Sequence, residues 1–183
     1  METVKSKSSL TKWVLDPVHS EIVFRVKHMM ISYVKGEFKK FNVEVDGEDL
    51  FSSPIRVTIE AESILTNNND RDTHLKSADF FDVQNHKEIV FTARSFSRTT
   101  DDVLELAGML NIRGISNEVI LQAEFGGINK DPWGNERAGF SVTGKINRKD
   151  WGLNWNAALE AGGVLVADEV KIDAEVQLIK QVP

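Results

Sequence analysis

Histidines stand at positions 19, 28, 74 and 86, and histidine combined with carboxylates is a common ligand set for zinc and non-haem iron. Their spacing argues against such a site, because no H-x-H or H-x-x-x-H pair would set two imidazoles on one face of a strand or helix. No metal is expected. The dipeptide His19-Ser20, with Asp16 nearby, has the residue types of a nucleophilic set. It lacks a G-x-S-x-G elbow, however, and adjacent strand residues point to opposite faces. Arg71-Asp72 with His74 has the composition of an acid–base cluster. The simpler reading is a salt bridge and a cap that hold a helical segment in place. Gly162-Gly163 lacks the strand–GxGxxG–helix context of a nucleotide loop and reads as a turn. No catalytic residue is assigned, and the chain is read as a non-enzyme. The absence of cysteine from its 183 residues excludes disulfides, thiolate metal sites and a cysteine nucleophile.

The elements that must position these residues are strands. From Glu21 onward apolar residues recur at alternate positions, the period of a half-buried strand. Ile55-Val57-Ile59-Ala61, interleaved with Arg56, Thr58, Glu60 and Glu62, is the cleanest run. Others pass through Ile22-Phe24-Val26, Ile89-Phe91-Ala93, Leu104 to Ile112, Val119 to Phe125, Ala138 to Ile146 and Val170 to Leu178. Parity changes between Val34-Gly36-Phe38 and Phe41-Val43-Val45, which predicts a β-bulge at Lys39-Lys40. Asp46-Gly47, Arg113-Gly114 and Asp131-Pro132-Trp133-Gly134-Asn135 supply turns. Between Asn67 and Val83 the alternation fails, and a short helix around residues 70–82, capped near Asp70, fits better. The strands, several of them roughly 12 residues long, imply a tall all-β barrel or a sandwich. Alternation leaves the two open; for a barrel, Gly108, Gly139, Gly144, Ala93 and Ala174 inside strands tilt the reading toward a cavity within it.

Net charge is −6, and the basic residues are scattered, which argues against nucleic acid as a partner. No run approaches the ~20 apolar residues of a membrane-spanning helix. The first residues lack the apolar core of a secretory signal, so residues 1–11 read as a polar leader, 12–181 as one barrel domain, and the location as cytoplasmic.

The run Trp13-Val-Leu-Asp16-Pro17-Val-His19-Ser20-Glu-Ile-Val-Phe24 resembles the opening of the YceI-like family of polyisoprenoid-binding, lipocalin-like proteins. The stretch Arg71-Asp72-Thr-His74-Leu75-Lys-Ser77-Ala-Asp79-Phe80-Phe81-Asp82 matches that family's central signature, and Arg148-Lys-Asp150-Trp151-Gly152-Leu153 and Val166-Ala-Asp168-Glu-Val170 resemble later blocks. Lys87 and Asn111 depart from it, where the family commonly has proline and threonine. The resemblance implies an elongated eight-stranded antiparallel lipocalin-like barrel with a short helical insertion, a tunnel for a long-chain apolar lipid such as a polyisoprenoid, quinone or fatty amide, and a possible homodimer. It brings no catalytic residues. Cofactors are none, apart from the bound lipid itself. The tunnel wall is assigned to Phe24, Val26 and His28, to Phe38, to Val57 and Ile59, and to Leu75, Phe80 and Phe81. Phe91, Leu106, Leu110, Phe140, Val142 and Trp151 complete it.

Overall fold

The alternating runs become the staves of a closed barrel. The structure, a computed structural model, describes residues 11–99 and 103–183; all of the expected polar leader except Thr11 lies outside the described residues. Four staves are interrupted: β1 (Lys12–Leu15) with β2 (Glu21–His28), β3 (Ser32–Phe38) with β4 (Phe41–Val45), β5 (Ile55–Glu60) with β6 (Ile64–Leu65), and β7 (Glu88–Ala93) with β8 (Ser97–Arg98). Four are continuous: β9 (Val103–Ile112), β10 (Ile115–Lys130), β11 (Glu136–Asn147) and β12 (Val166–Gln181). Each stave pairs antiparallel with the next in sequence. β12 then pairs with β1 and β2, so the sheet closes as an eight-stave antiparallel barrel. Closure leaves no long unpaired edge.

Three of these interruptions have a local cause. Asp16 caps the 3-10 turn Pro17–His19 between β1 and β2, its carboxylate accepting from the Val18 N–H. At Lys39-Lys40 the expected one-residue bulge is a larger break. Lys39 N–H donates to the Ser63 carbonyl at 3.1 Å and Lys40 N–H to Ser63 Oγ at 3.0 Å, while the opposite stave turns through the 3-10 segment Ala61–Ser63. Both staves kink together, and Phe38, Val43 and Val45 all come out buried despite their change of parity. Arg113 and Gly114, at φ 53° and 76°, form the two-residue hairpin between the paired Ile112 and Ile115.

The helix, α1 (Asn69–Lys76), follows β6. Its cap, expected near Asp70, is Asn68: Asn68 has the extended backbone of a capping residue, and its Oδ1 accepts from the Arg71 N–H at 3.0 Å. Of the in-strand glycines, Gly139 has open space where a Cβ would stand, while others are covered by a neighbouring side chain. A Cβ on Gly36 would run into the Phe24 ring, on Gly108 into the Phe91 ring, and on Gly144 into Leu121. Each lets a side chain of the next stave lie across its backbone. Among the described residues no helix is long and apolar enough to cross a membrane.

Candidate functional site

The barrel encloses a cavity of about 530 Å³, within the ~300–1,000 Å³ range of ligand pockets. Inward residues of every stave line it. Phe24, Val26 and His28 reach it from β2, Phe38 from β3, Val57 and Ile59 from β5, and Phe91 from β7. Leu106 and Leu110 follow from β9, Phe140 and Val142 from β11, Leu75 from α1, and Phe80 and Phe81 from the turn after it. Many of these inward side chains, Phe24, Val26, Val57 and Val142 among them, are only half-buried although they face away from bulk solvent. The surface they leave uncovered is cavity wall. Around Val142 the wall is thinned by small neighbours, since its ladder partners are Ala123 and Ala174.

Trp151 does not line the cavity. It closes the 3-10 segment Arg148–Trp151, is 2% exposed, and its indole N–H donates to the Leu110 carbonyl at 2.9 Å. A tryptophan whose donor is satisfied on the backbone behind the wall is a packing residue. Sequence reasoning missed Trp155, which does line the cavity; its loop has no periodicity to mark an inward face. Leu121, Ile146, Ile172 and Val176 also line it and were foreseeable from the alternation of β10, β11 and β12.

Polar groups gather at one end. Thr66 joins the two residues expected to pair with each other: Arg71 Nε donates to Thr66 Oγ1 and Nη2 to the Thr66 carbonyl, both at 2.7 Å. The buried Asp72 carboxylate accepts from Thr66 N–H at 2.8 Å and from Thr66 Oγ1 at 2.5 Å. The expected Arg71–Asp72 salt bridge is thus a relay through a hydroxyl, because residues adjacent on a helix diverge while Thr66 sits between them. His74, one turn on from Arg71, bonds Asp79 at 2.8 Å and packs edge-on to Trp155, with ring centroids 4.5 Å apart. Arg148, 3% exposed, donates to the carbonyls of Leu153, Trp155, Val166 and Ala167. Its nearest carboxylate oxygen is on Asp168, 3.9 Å away. Burial pulls its pKa below the ordinary arginine value, only partly countered by Asp168. Val166 is the ladder partner of His28, which places His28, Arg148, Trp155, His74 and Arg71 at the same end. The exposed Lys27 and Asp70 line the cavity as well, so it reaches the surface here.

Toward the other end, aromatic rings pack together. Phe51 meets Phe125 edge-on at 5.0 Å, and Phe96 stacks on Phe140 at 5.2 Å. On the outside, Arg137 joins Asp16 at 2.5 Å and Asp131 at 2.8 Å, tying the β1–β2 turn to the β10–β11 hairpin. The Arg137 hydrogen bond holds the Asp131 carboxyl down at about 2, with help from Asn135 and the Trp133 N–H. Asp16, His19 and Ser20 make no nucleophilic set: His19 bonds Asp16 at 2.7 Å, while Ser20 Oγ accepts from the Gln177 N–H at 2.9 Å. Among the described residues no three His, Asp or Glu side chains gather as a metal site would require.

The comparisons with known proteins agree with this architecture. The family model for the YceI-like domain matches residues 13–178. The UPF0312 protein SERP2314 of Staphylococcus epidermidis is 41% identical over 171 residues, covering 92% of this chain and 97% of that protein. A UPF0312 protein of Staphylococcus aureus strain MSSA476 is 40% identical over the same length. Among solved structures, the Campylobacter jejuni YCEI protein superposes with a TM-score of 0.72 at 31% identity, covering 85% of this chain and 90% of that one. Burkholderia cenocepacia BcnA, at 19% identity, has a TM-score of 0.76 over 89% of this chain and 98% of its own. A polyisoprenoid binding domain from Saccharophagus degradans, at 13% identity, has a TM-score of 0.72 over 93% and 98%, and both of these share the fold. With the family model spanning nearly the whole barrel, the chain belongs to the YceI-like family.

Proposed function

We propose that this protein binds one long apolar lipid, of the polyisoprenoid or fatty-chain class, non-covalently inside the barrel and serves as its carrier. The observation that carries the reading is a cavity walled by aliphatic and aromatic side chains along its length, with its polar groups concentrated at one end. Such a shape matches an amphiphile whose tail lies among Val57, Val142 and Ile172 and whose head group meets Arg71, His74 and Lys27. A fold shared with a polyisoprenoid binding domain supports the same class. Burial of each methylene is worth up to ~0.8 kcal/mol, with ~0.3 kcal/mol per atom as the lower bound for larger ligands.

Binding without turnover is the preferred reading, since the histidines of the polar end are not arranged with a nucleophile. His74 is engaged with Asp79, and the Asp72 carboxylate is spent on Thr66. The test is native mass spectrometry of gently purified protein, followed by extraction and identification of what it holds. The expected result is a stoichiometric long-chain lipid, replaced by added polyprenyl lipid. Protein that is empty and takes up neither polyprenyl nor fatty-chain lipid refutes the proposal, and conversion of the bound lipid would make the protein an enzyme.

A further inference from the structure

The β2–β3 hairpin ends in Met29-Met30-Ile31, three large apolar residues 43%, 57% and 79% exposed. Ile31 N–H donates to the His28 carbonyl at 3.2 Å, closing a turn whose central residues, Met29 and Met30, have φ of 51° and 63°. Asn-Gly is the usual solution to such a turn, because other side chains are strained at positive φ. Folding and solubility both favour removing these methionines. Their presence calls for a surface that takes them up.

Behind the tip stands Tyr33, 48% exposed and ringed by cations. Lys171 Nζ lies 4.9 Å from the ring centroid and donates to the phenol oxygen at 3.1 Å, with Arg25 at 5.9 Å and Lys27 at 6.0 Å. Lys35 is the ladder partner of Arg25. The carboxylates there are Asp173, tied to Arg25 at 3.2 Å, and Glu169. This is a local excess of cations in a chain of net charge −6. An apolar tip, then an amphipathic phenol, then cations is the order of groups that suits a bilayer with anionic head groups. The tip also adjoins the polar end of the cavity. Met29 N–H donates to the Leu165 carbonyl at 2.8 Å, a Cβ on Gly163 would strike Met30 Sδ, and His28, Leu165 and Val166 line the cavity.

We infer that the β2–β3 tip docks on an anionic membrane surface and presents the polar end of the cavity to it, so that lipid passes between bilayer and barrel without crossing water. The docking stands by itself; the lipid transfer rests on the function proposed above. Co-sedimentation of delipidated protein with phosphatidylcholine vesicles, with and without phosphatidylglycerol, tests it. Binding is expected to require phosphatidylglycerol and to weaken with salt. Met29→Asn with Met30→Gly should reduce partitioning at least about tenfold, given the size of an apolar side chain, while the melting temperature holds or rises as the turn relaxes. Lys35→Glu with Lys171→Glu should reduce it about fivefold or more per charge. Wild-type protein left in the supernatant, or an Asn-Gly variant that pellets like the parent, overturns the proposal. So does a wild-type dimer that the same variant dissociates, which would give the tip to a second copy. Vesicle binding without uptake of either a fluorescent polyprenyl or a fluorescent fatty-chain probe upholds docking and overturns the carrier reading; uptake without vesicle binding does the reverse.

Discussion

Replacing Val142 with tryptophan tests whether the interior is space for a ligand or merely core. Val142 lines the cavity, and its two ladder partners, Ala123 and Ala174, are small, so no large side chain stands directly opposite it on either neighbouring stave. An indole there projects into open space. The fold should therefore bear it with little loss, because no neighbour has to leave its rotamer. Affinity should fall: displacing about six methylene-sized groups of ligand, at ~0.3 to ~0.8 kcal/mol each, costs ~2–5 kcal/mol, or roughly thirtyfold to several-thousandfold in Kd. In a solidly packed barrel the same change would instead lower stability by the ~1–3 kcal/mol of an overfilled core. Thermal unfolding and fluorescent-lipid titration of delipidated protein separate the two. A marked fall in melting temperature with unchanged affinity would refute the cavity at this position.

Asp72→Asn should lose ~1–3 kcal/mol of stability, since a neutral amide oxygen accepts the two Thr66 donors more weakly than the charged carboxylate oxygen that takes both; urea unfolding measures it, and the bound lipid should stay the same. Trp151→Phe should cost a similar ~1–3 kcal/mol by removing the indole's hydrogen bond to the Leu110 carbonyl and leaving part of its buried space unfilled, with lipid affinity little changed in a titration, because the indole lies behind the wall. The Asp131 carboxyl, held at about 2 in the fold against an ordinary 3.8, contributes stability that is full above about pH 4 and lost as pH falls toward 2. Asp131→Asn should therefore be less stable than the parent at pH 7, and the gap should narrow between pH 4 and pH 2 in a pH series of urea midpoints.

The second half of the barrel was the more legible in the sequence, because β9 to β12 are long and uninterrupted and alternate cleanly. The parity change at Phe38–Phe41 announced a kink but not its size, which depends on the partner stave turning at Ala61–Ser63. Inward positions could be read from alternation and resemblance together, while a motif aromatic such as Trp151 bears no mark of which side of the wall it occupies. Trp155 and the Asp16–Arg137–Asp131 network were illegible for another reason: their neighbours come from distant segments that only the closed barrel brings together. The Met29–Ile31 tip was visible as composition, yet its meaning lies in backbone angles that periodicity does not report.

The seam of the barrel joins the first stave to the last, with Lys12 opposite Gln181 and Glu21 opposite Glu175. Every other ladder links neighbours along the chain, so sheet growth can proceed locally from hairpin to hairpin, whereas the seam must bring together ends separated by almost the entire sequence. Such long-range pairing is slow to form. Until it does, the inner face is an open, curved apolar sheet rather than an enclosure, and a hydrophobic chain nearby can lie on it without threading through an entrance. Folding in the presence of lipid and filling after folding are thus two distinct routes to the loaded state, with the zippering of β12 onto β1 and β2 as the step that shuts the first.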